Sequence, residues 1–224
     1  MKDPLTPDHR GWPRQLDDLD EERPRQLWVS GMADVRLLAL RSVGIVGARN
    51  ATSYGLDVAG RLAAELTASG WTVVSGAAFG IDSAAHRGAL AAGGPTVAVT
   101  AGGVDVPQPR AHTALFARIS ESGAVCSEAA PGTTPQPYSF LRRNRLIAAL
   151  TRATVVVEAA ARSGALNTAE WAETLGRPVL ALPGPVTSPM SVGTHRLIRG
   201  GAARLVTDVA DILSILEDDR PKSG

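Results

Sequence analysis

From Ser42 onward the chain alternates short β-branched apolar runs with alanine-rich stretches of helical length. This alternation predicts an α/β fold in which a doubly wound, mostly parallel sheet carries helices on both faces. The runs place strands at Val43–Val46, Thr72–Ser75, Thr96–Thr100, Ala124–Ser127, Thr154–Glu158 and Pro178–Leu182. Helices fall between them, near Tyr54–Ser69, Asp82–Ala92, Ala111–Ser122, Phe140–Thr151 and Ala165–Leu175, with a last one near Val209–Leu216. Gly70, Gly123 and Gly176 stand where C′ glycines would end three of these helices. Residues 1–41 lack the alternation: Trp12-Pro13, a charged run from Asp17 to Arg25 and Leu27-Trp28-Val29 read as an irregular N-terminal extension laid on a core of residues 42–216. Residues 217–224 form a polar tail whose composition favours fraying.

Length and charge narrow the function classes. The 224 residues, 44% of them hydrophobic, suffice for one well-buried α/β domain. No apolar run reaches eighteen residues and the first eight residues are polar, so a cytoplasmic protein with no membrane insertion is expected. A net charge of +1 argues against coating nucleic acid through bulk electrostatics; any such site must be a local patch. Lys2 and Lys222 are the only lysines, so that patch would be built from arginine, although base composition alone explains an arginine and alanine bias. The single cysteine, Cys126, lies in an apolar run and reads as a buried structural thiol.

In open parallel sheets ligands bind beyond the carboxyl ends of the strands, and the distinctive residues fall there. Ser75-Gly76-Ala77-Ala78-Phe79-Gly80 joins a strand to a helix, a glycine turn suited to exposing backbone N–H groups to a phosphate or only to turning tightly. Gly47-Ala48-Arg49 follows the first core strand, with Ser53 placed to cap the next helix, so that a phosphate would meet both the helix start and a guanidinium. Arg142-Arg143-Asn144-Arg145 is read as opening a helix, where three cations oppose the helix dipole unless an anion sits nearby; a solvated arginine face is the plainer reading. Ser163-Gly164-Ala165-Leu166-Asn167-Thr168 offers hydroxyls and N–H groups at another helix start.

Asp82 and His86 share a helical face, a spacing open to a metal, an acid–base pair, a structural hydrogen bond or a ligand contact. No third metal ligand has suggestive spacing, and His9, His112 and His195 have no evident partner. Dinucleotide and Walker fingerprints, zinc motifs and the nucleophile elbow are all absent, which disfavours hydride transfer, ATP hydrolysis and serine hydrolase chemistry.

Together these blocks, with Tyr54-Gly55, Gly103-Val104-Asp105, Ser127-Glu128, Leu146-Ile147-Ala148 and Pro183-Gly184, resemble the DNA-processing protein A family, also called Smf, from about Trp12 to Ile212. The resemblance implies a Rossmann-like fold and a non-enzymatic mediator, without a cofactor, a catalytic residue or a metal. Such a mediator protects incoming single-stranded DNA and helps load the RecA recombinase in natural transformation, acting as a homodimer. It further implies that Arg49, Ser53, Ser75, Gly76, Gly80, Arg142, Arg143, Asn144, Arg145, Ser163, Gly164 and Thr168 line a phosphate-binding site. Arginines and backbone N–H groups hold a single strand without selecting sequence.

One departure is Val106-Pro107-Gln108-Pro109, where the family usually has a Tyr-Pro pair; Tyr54, Phe79 or Phe140 would have to supply base stacking instead. Neither the helical N-terminal module nor the winged-helix module of many members is visible in this sequence. The alternatives are a phosphoribohydrolase-like enzyme, whose glycine-rich signature the segment from Ser163 to Glu173 lacks, and a module that senses a small nucleotide without reacting.

Overall fold

A computed structural model describes residues 3–218, leaving most of the polar tail outside the described residues. The strands are β1 (Trp28–Gly31), β2 (Ser42–Val46), β3 (Thr72–Ser75), β4 (Thr96–Val99), β5 (Ala124–Ser127), β6 (Ala153–Val156), β7 (Val179–Ala181) and β8 (Arg204–Leu205). The helices are α1 (Val35–Leu40), α2 (Ser53–Ala68), α3 (Ile81–Ala91), α4 (Thr113–Ser122), α5 (Pro137–Leu150), α6 (Gly164–Thr174), α7 (Val192–Arg199) and α8 (Val209–Asp218). One sheet runs in the order β1-β5-β4-β3-β2-β6-β7-β8, parallel throughout except for β1, which pairs antiparallel to β5.

The six predicted strands are present to within two residues, because β-branched runs buried on both faces leave a plain signal. Side chains alternate across the sheet. Val43 and Ile45 of β2 join the layer of α2, α3 and α8 through Leu62, Leu66, Ile81 and Ile212, whereas Val46 meets the opposite layer of Leu146, Ile147 and Leu150 from α5. A third cluster seats Phe116 and Ile119 of α4 on Ala98 and Val125. Cys126 is buried in the α5 layer, where desolvation pushes its thiol up to about 12, as expected of a structural thiol.

Three readings need correction. The segment before Ser42 is not irregular throughout: it supplies β1, α1 and 3-10 turns over Arg14–Glu22, and its Trp12, Leu16 and Leu27 are fully buried in the main core. Helix α5 starts three residues earlier than predicted, with Pro137 in its first turn. Gly70 and Gly176 have φ of +76° and +65°, as C′ glycines should, but Gly123 has φ −134°. Its requirement is space, since a Cβ there would lie 2.0 Å from the Thr96 carbonyl oxygen.

Helices α2 and α3 pack almost backbone to backbone, a Cβ on Gly88 falling 2.1 Å from the carbonyl oxygen of Gly60. Gly88→Ala should therefore cost about 1–3 kcal/mol through overpacking. Chemical denaturation measures it, and an unchanged midpoint would show that the two helices separate freely.

Candidate functional site

The connection from β2 through α2 leads to β3 on one side of the sheet, and that from β6 through α6 leads to β7 on the other. Adjacent loops at such a reversal diverge and leave a crevice beyond the strand ends. Here the crevice is a pocket of about 360 Å3 between the loops that follow β2 and β6, with the first half of α5 along one wall.

Glu158 fixes the β2 loop. Its carbonyl oxygen accepts from Ala48 N at 2.7 Å, and its buried carboxylate accepts from Thr52 N at 2.9 Å and Thr52 Oγ1 at 2.6 Å. The loop is thus held at both ends, leaving Arg49 and Asn50 exposed between them. A Cβ on Gly55 would strike the Glu158 carboxylate, so that glycine makes room for it. The expected phosphate site at the start of α2 is already filled: the N-cap is Thr52, not Ser53, and Glu158 supplies the negative charge there.

The glycine turn after β3 is likewise occupied by the protein itself. Gly76 leaves room for the guanidinium of Arg143, whose Nη1 donates to the carbonyl oxygens of Gly76, at 2.9 Å, and Val99. Gly80, at φ +75°, packs against the carbonyl oxygens of Ala48 and Arg49, and Ser75 Oγ donates to Ile45 O at 2.6 Å. Ser75, Gly76 and Gly80 therefore brace the pocket from beneath and do not line it.

Of the other predicted residues, Arg49, Phe140, Arg143, Asn144, Ser163, Gly164 and Thr168 come together on the pocket wall. The Arg49 guanidinium lies over the Phe140 ring, 5.1 Å from its centroid. Ser163 caps α6 by accepting from Ala165 N at 3.3 Å, and Asn144 Nδ2 ties α5 to Gly164 O at 3.1 Å, so the start of α6 is held open to the pocket. Arg143 is buried, and desolvation lowers its pKa to about 10, opposed by the attraction of Asp82. Asp82 also lines the pocket; burial raises its carboxyl above the ordinary range against the pull of Arg143.

The remaining residues point elsewhere. Arg142 and Arg145 line a different, polar depression beside Glu22 and Glu128, where Arg145 makes a two-pronged ion pair with Glu128. Tyr54 donates its hydroxyl to Pro183 O at 2.8 Å, and Phe79 packs edge-on against His112 with centroids 4.8 Å apart; neither lines the pocket, which leaves Phe140 as its aromatic side chain. The sequence reading missed Asn50, Arg162, Leu141 and Met190 as lining residues. Arg162 had a usable signal, a cation in the loop beyond a strand's carboxyl end.

His86 bonds through Nδ1 to Thr96 Oγ1 at 2.8 Å, a structural contact that takes it away from Asp82. The other three histidines find backbone partners: Gly11 N for His9, Ala77 O for His112 and Gly184 for His195. Among the described residues no three His, Cys, Asp or Glu side chains are grouped to hold a metal ion, and no helix is long and apolar enough to cross a membrane.

The model of the DNA recombination-mediator protein A family matches residues 3–217. The chain is 51% identical over 207 residues to a DNA processing protein DprA of Mycobacterium tuberculosis, a match covering 90% of this chain and 53% of that one. The chain thus spans about half the length of that relative. Among solved structures it resembles DNA processing protein A of Streptococcus pneumoniae, with a TM-score of 0.88 and 37% identity over 95% of this chain and 73% of that one. It also resembles DNA processing protein A of Helicobacter pylori, solved for its single-stranded DNA binding mode, with a TM-score of 0.84 and 28% identity over 97% and 96% of the two chains.

Proposed function

Because the chain belongs to the DNA recombination-mediator protein A family, we propose that it binds single-stranded DNA in the pocket between the β2 and β6 loops, as a mediator and not as an enzyme. The observation that carries this reading is the placement of Arg49 over Phe140 at the pocket, with the start of α6 also on its wall. A phosphate is offered a guanidinium and helix N–H groups, and a base is offered an aromatic face. The single-stranded DNA binding described for the Helicobacter pylori relative, at 28% identity, supports it. On the same premise the protein acts in the cytoplasm as a homodimer that protects single strands and passes them to the RecA recombinase. Arg142 and Arg145, at the other depression, serve the fold more than the strand.

Fluorescence anisotropy of a labelled dT oligonucleotide at two salt concentrations tests the reading, with a matched duplex and AMP as competitors. Salt-sensitive binding that the duplex competes for poorly is expected. Arg49→Ala should weaken it about tenfold or more and flatten the salt dependence by about 0.7 log units, the share of one phosphate contact. Absence of DNA binding, with AMP bound or hydrolysed, would instead favour a nucleotide enzyme or sensor.

A further inference from the structure

The three phenylalanines of the chain stand in three different settings. Phe116 is buried in the core, Phe140 is half-buried on the pocket wall, and Phe79 is 48% exposed. A phenyl ring has no polar group to reward exposure, and although a lone apolar side chain at a surface is ordinary, this one is held out by its own backbone. Phe79 lies in the turn after β3, between Ala77 at φ +56° and Gly80 at φ +75°. A left-handed φ is unfavourable for a residue with a Cβ and persists only where the surroundings impose it. Here the buried His112 imposes it: its Nδ1 donates to Ala77 O at 2.9 Å, and the same imidazole meets the edge of the Phe79 ring, 4.8 Å between centroids. Gly80 admits no side chain at all, since a Cβ would lie 2.2 Å from Ala48 O and 2.5 Å from Arg49 O.

Arg49 connects this ring with the pocket. Its backbone packs against Gly80, the neighbour of Phe79, while its guanidinium covers Phe140. Ala78, on the other side of Phe79, lines the pocket, but Phe79 itself stays outside. Two aromatic rings, one within the pocket and one beyond it, thus share a single arginine. The 3-10 turn that ends in His112 begins with Arg110, exposed and in no ion pair among the described residues. Cations on either side of an exposed ring are the complement of a polymer that alternates anions with flat rings.

Resting on the single-strand reading above, we propose that Phe79 is a second stacking platform, outside the pocket, for the nucleotide next to the one at Phe140. Arg49 meets the phosphate that joins the two nucleotides, and Arg110 the phosphate that follows. The strand therefore leaves the pocket toward the loops beyond β3 and β4, not toward the polar depression beside Glu128.

The test removes the ring and leaves both arginines in place. Phe79→Ala should weaken binding of a dT oligonucleotide about fivefold or more at an unchanged salt slope, since it removes one stacked base and no phosphate contact. Phe79→Trp should restore the affinity, and its indole emission should fall as the strand binds, in excess of any change in the wild type titrated alongside. Wild-type affinity in Phe79→Ala would overturn the inference while leaving single-strand binding intact, as would an indole whose emission the strand leaves unchanged. A weakening that comes with a shallower salt slope would overturn it as well, because the ring would then only steady Arg49. If the wild-type protein does not bind dT, the proposed function itself fails and the inference with it.

Discussion

Arg145→Ala should lose about 2–4 kcal/mol of stability, since it removes the buried guanidinium of an ion pair whose carboxylate, Glu128, is only part-buried. The side chain is 2% exposed; Nη2 and Nη1 donate to the two Glu128 oxygens at 2.7 and 3.1 Å, Nη1 also to Arg142 O at 2.7 Å, and Nε to Glu22 O at 2.8 Å. One guanidinium therefore joins α5, the end of β5 and the N-terminal segment. Without it the Glu128 carboxylate keeps only Arg142, 3.4 Å away on a side chain that is 60% exposed. A lysine restores the charge but not the fork, so Arg145→Lys should recover only part of the loss. Urea unfolding should show a lower midpoint at an unchanged slope. A loss below about 1 kcal/mol, with single-strand affinity falling instead, would return Arg145 to the DNA site.

The second large effect is acid destabilisation through His86. Thr96 Oγ1 donates its own proton to Val73 O at 2.6 Å, so it accepts from His86, which places the imidazole proton on Nδ1 and leaves Nε2 buried without a partner. Protonating Nε2 would bury a charge beside the cations Arg143 and Arg87, which the backbone of Ser75 offsets only in part. Desolvation first, and those charges next, depress the pKa from 6.5 to about 3. The sign follows directly: below pH 6.5 the unfolded chain takes up a proton that the folded chain refuses until about pH 3. Stability is complete above pH 6.5 and should fall by about 1.4 kcal/mol for each pH unit below it. Asp82, whose carboxyl is raised by burial, acts in the opposite direction in its own range and offsets part of the fall. Unfolding curves between pH 6.5 and 5.5 for the wild type and His86→Gln separate the two groups. The variant should have the shallower dependence, and parallel curves would show that His86 takes up its proton in the folded state as readily as in the unfolded one.

The parts of the fold that could be read from sequence are those whose signal is local. The β-branched runs of β2 to β7 and the alanine-rich helices between them announce themselves over five to fifteen residues. Strand β1 does not, because Trp28-Val29-Ser30-Gly31 becomes a strand only through β5, which is distant in sequence. The first turn of α5 lies before Phe140 and lacks the apolar periodicity of the rest, although Pro137 is suited to a helix's first position.

At the site, the arginine cluster on α5 was taken as one unit, but successive residues of a helix diverge by about 100°. Arg142 and Arg145, three apart, share a face toward Glu128, and Arg143 alone turns into the pocket. The glycine turn after β3 was open to two readings, an anion site or a tight turn, because a glycine marks only where the backbone needs room; here the guanidinium of Arg143 uses the room at Gly76, as the carboxylate of Glu158 does at Gly55.

The antiparallel pairing of β1 with β5 also orders events in time. Trp28 leaves the ribosome roughly a hundred residues before its partner Ser127, and closing a loop of that length costs entropy before any contact repays it. Until β5 is made and laid beside β4, β1 has no edge to join and Trp12, Leu16 and Leu27 have no complete core to enter. Strand β1 is thus made well before it can dock, and through that interval the nascent chain carries a set of unsheltered apolar side chains.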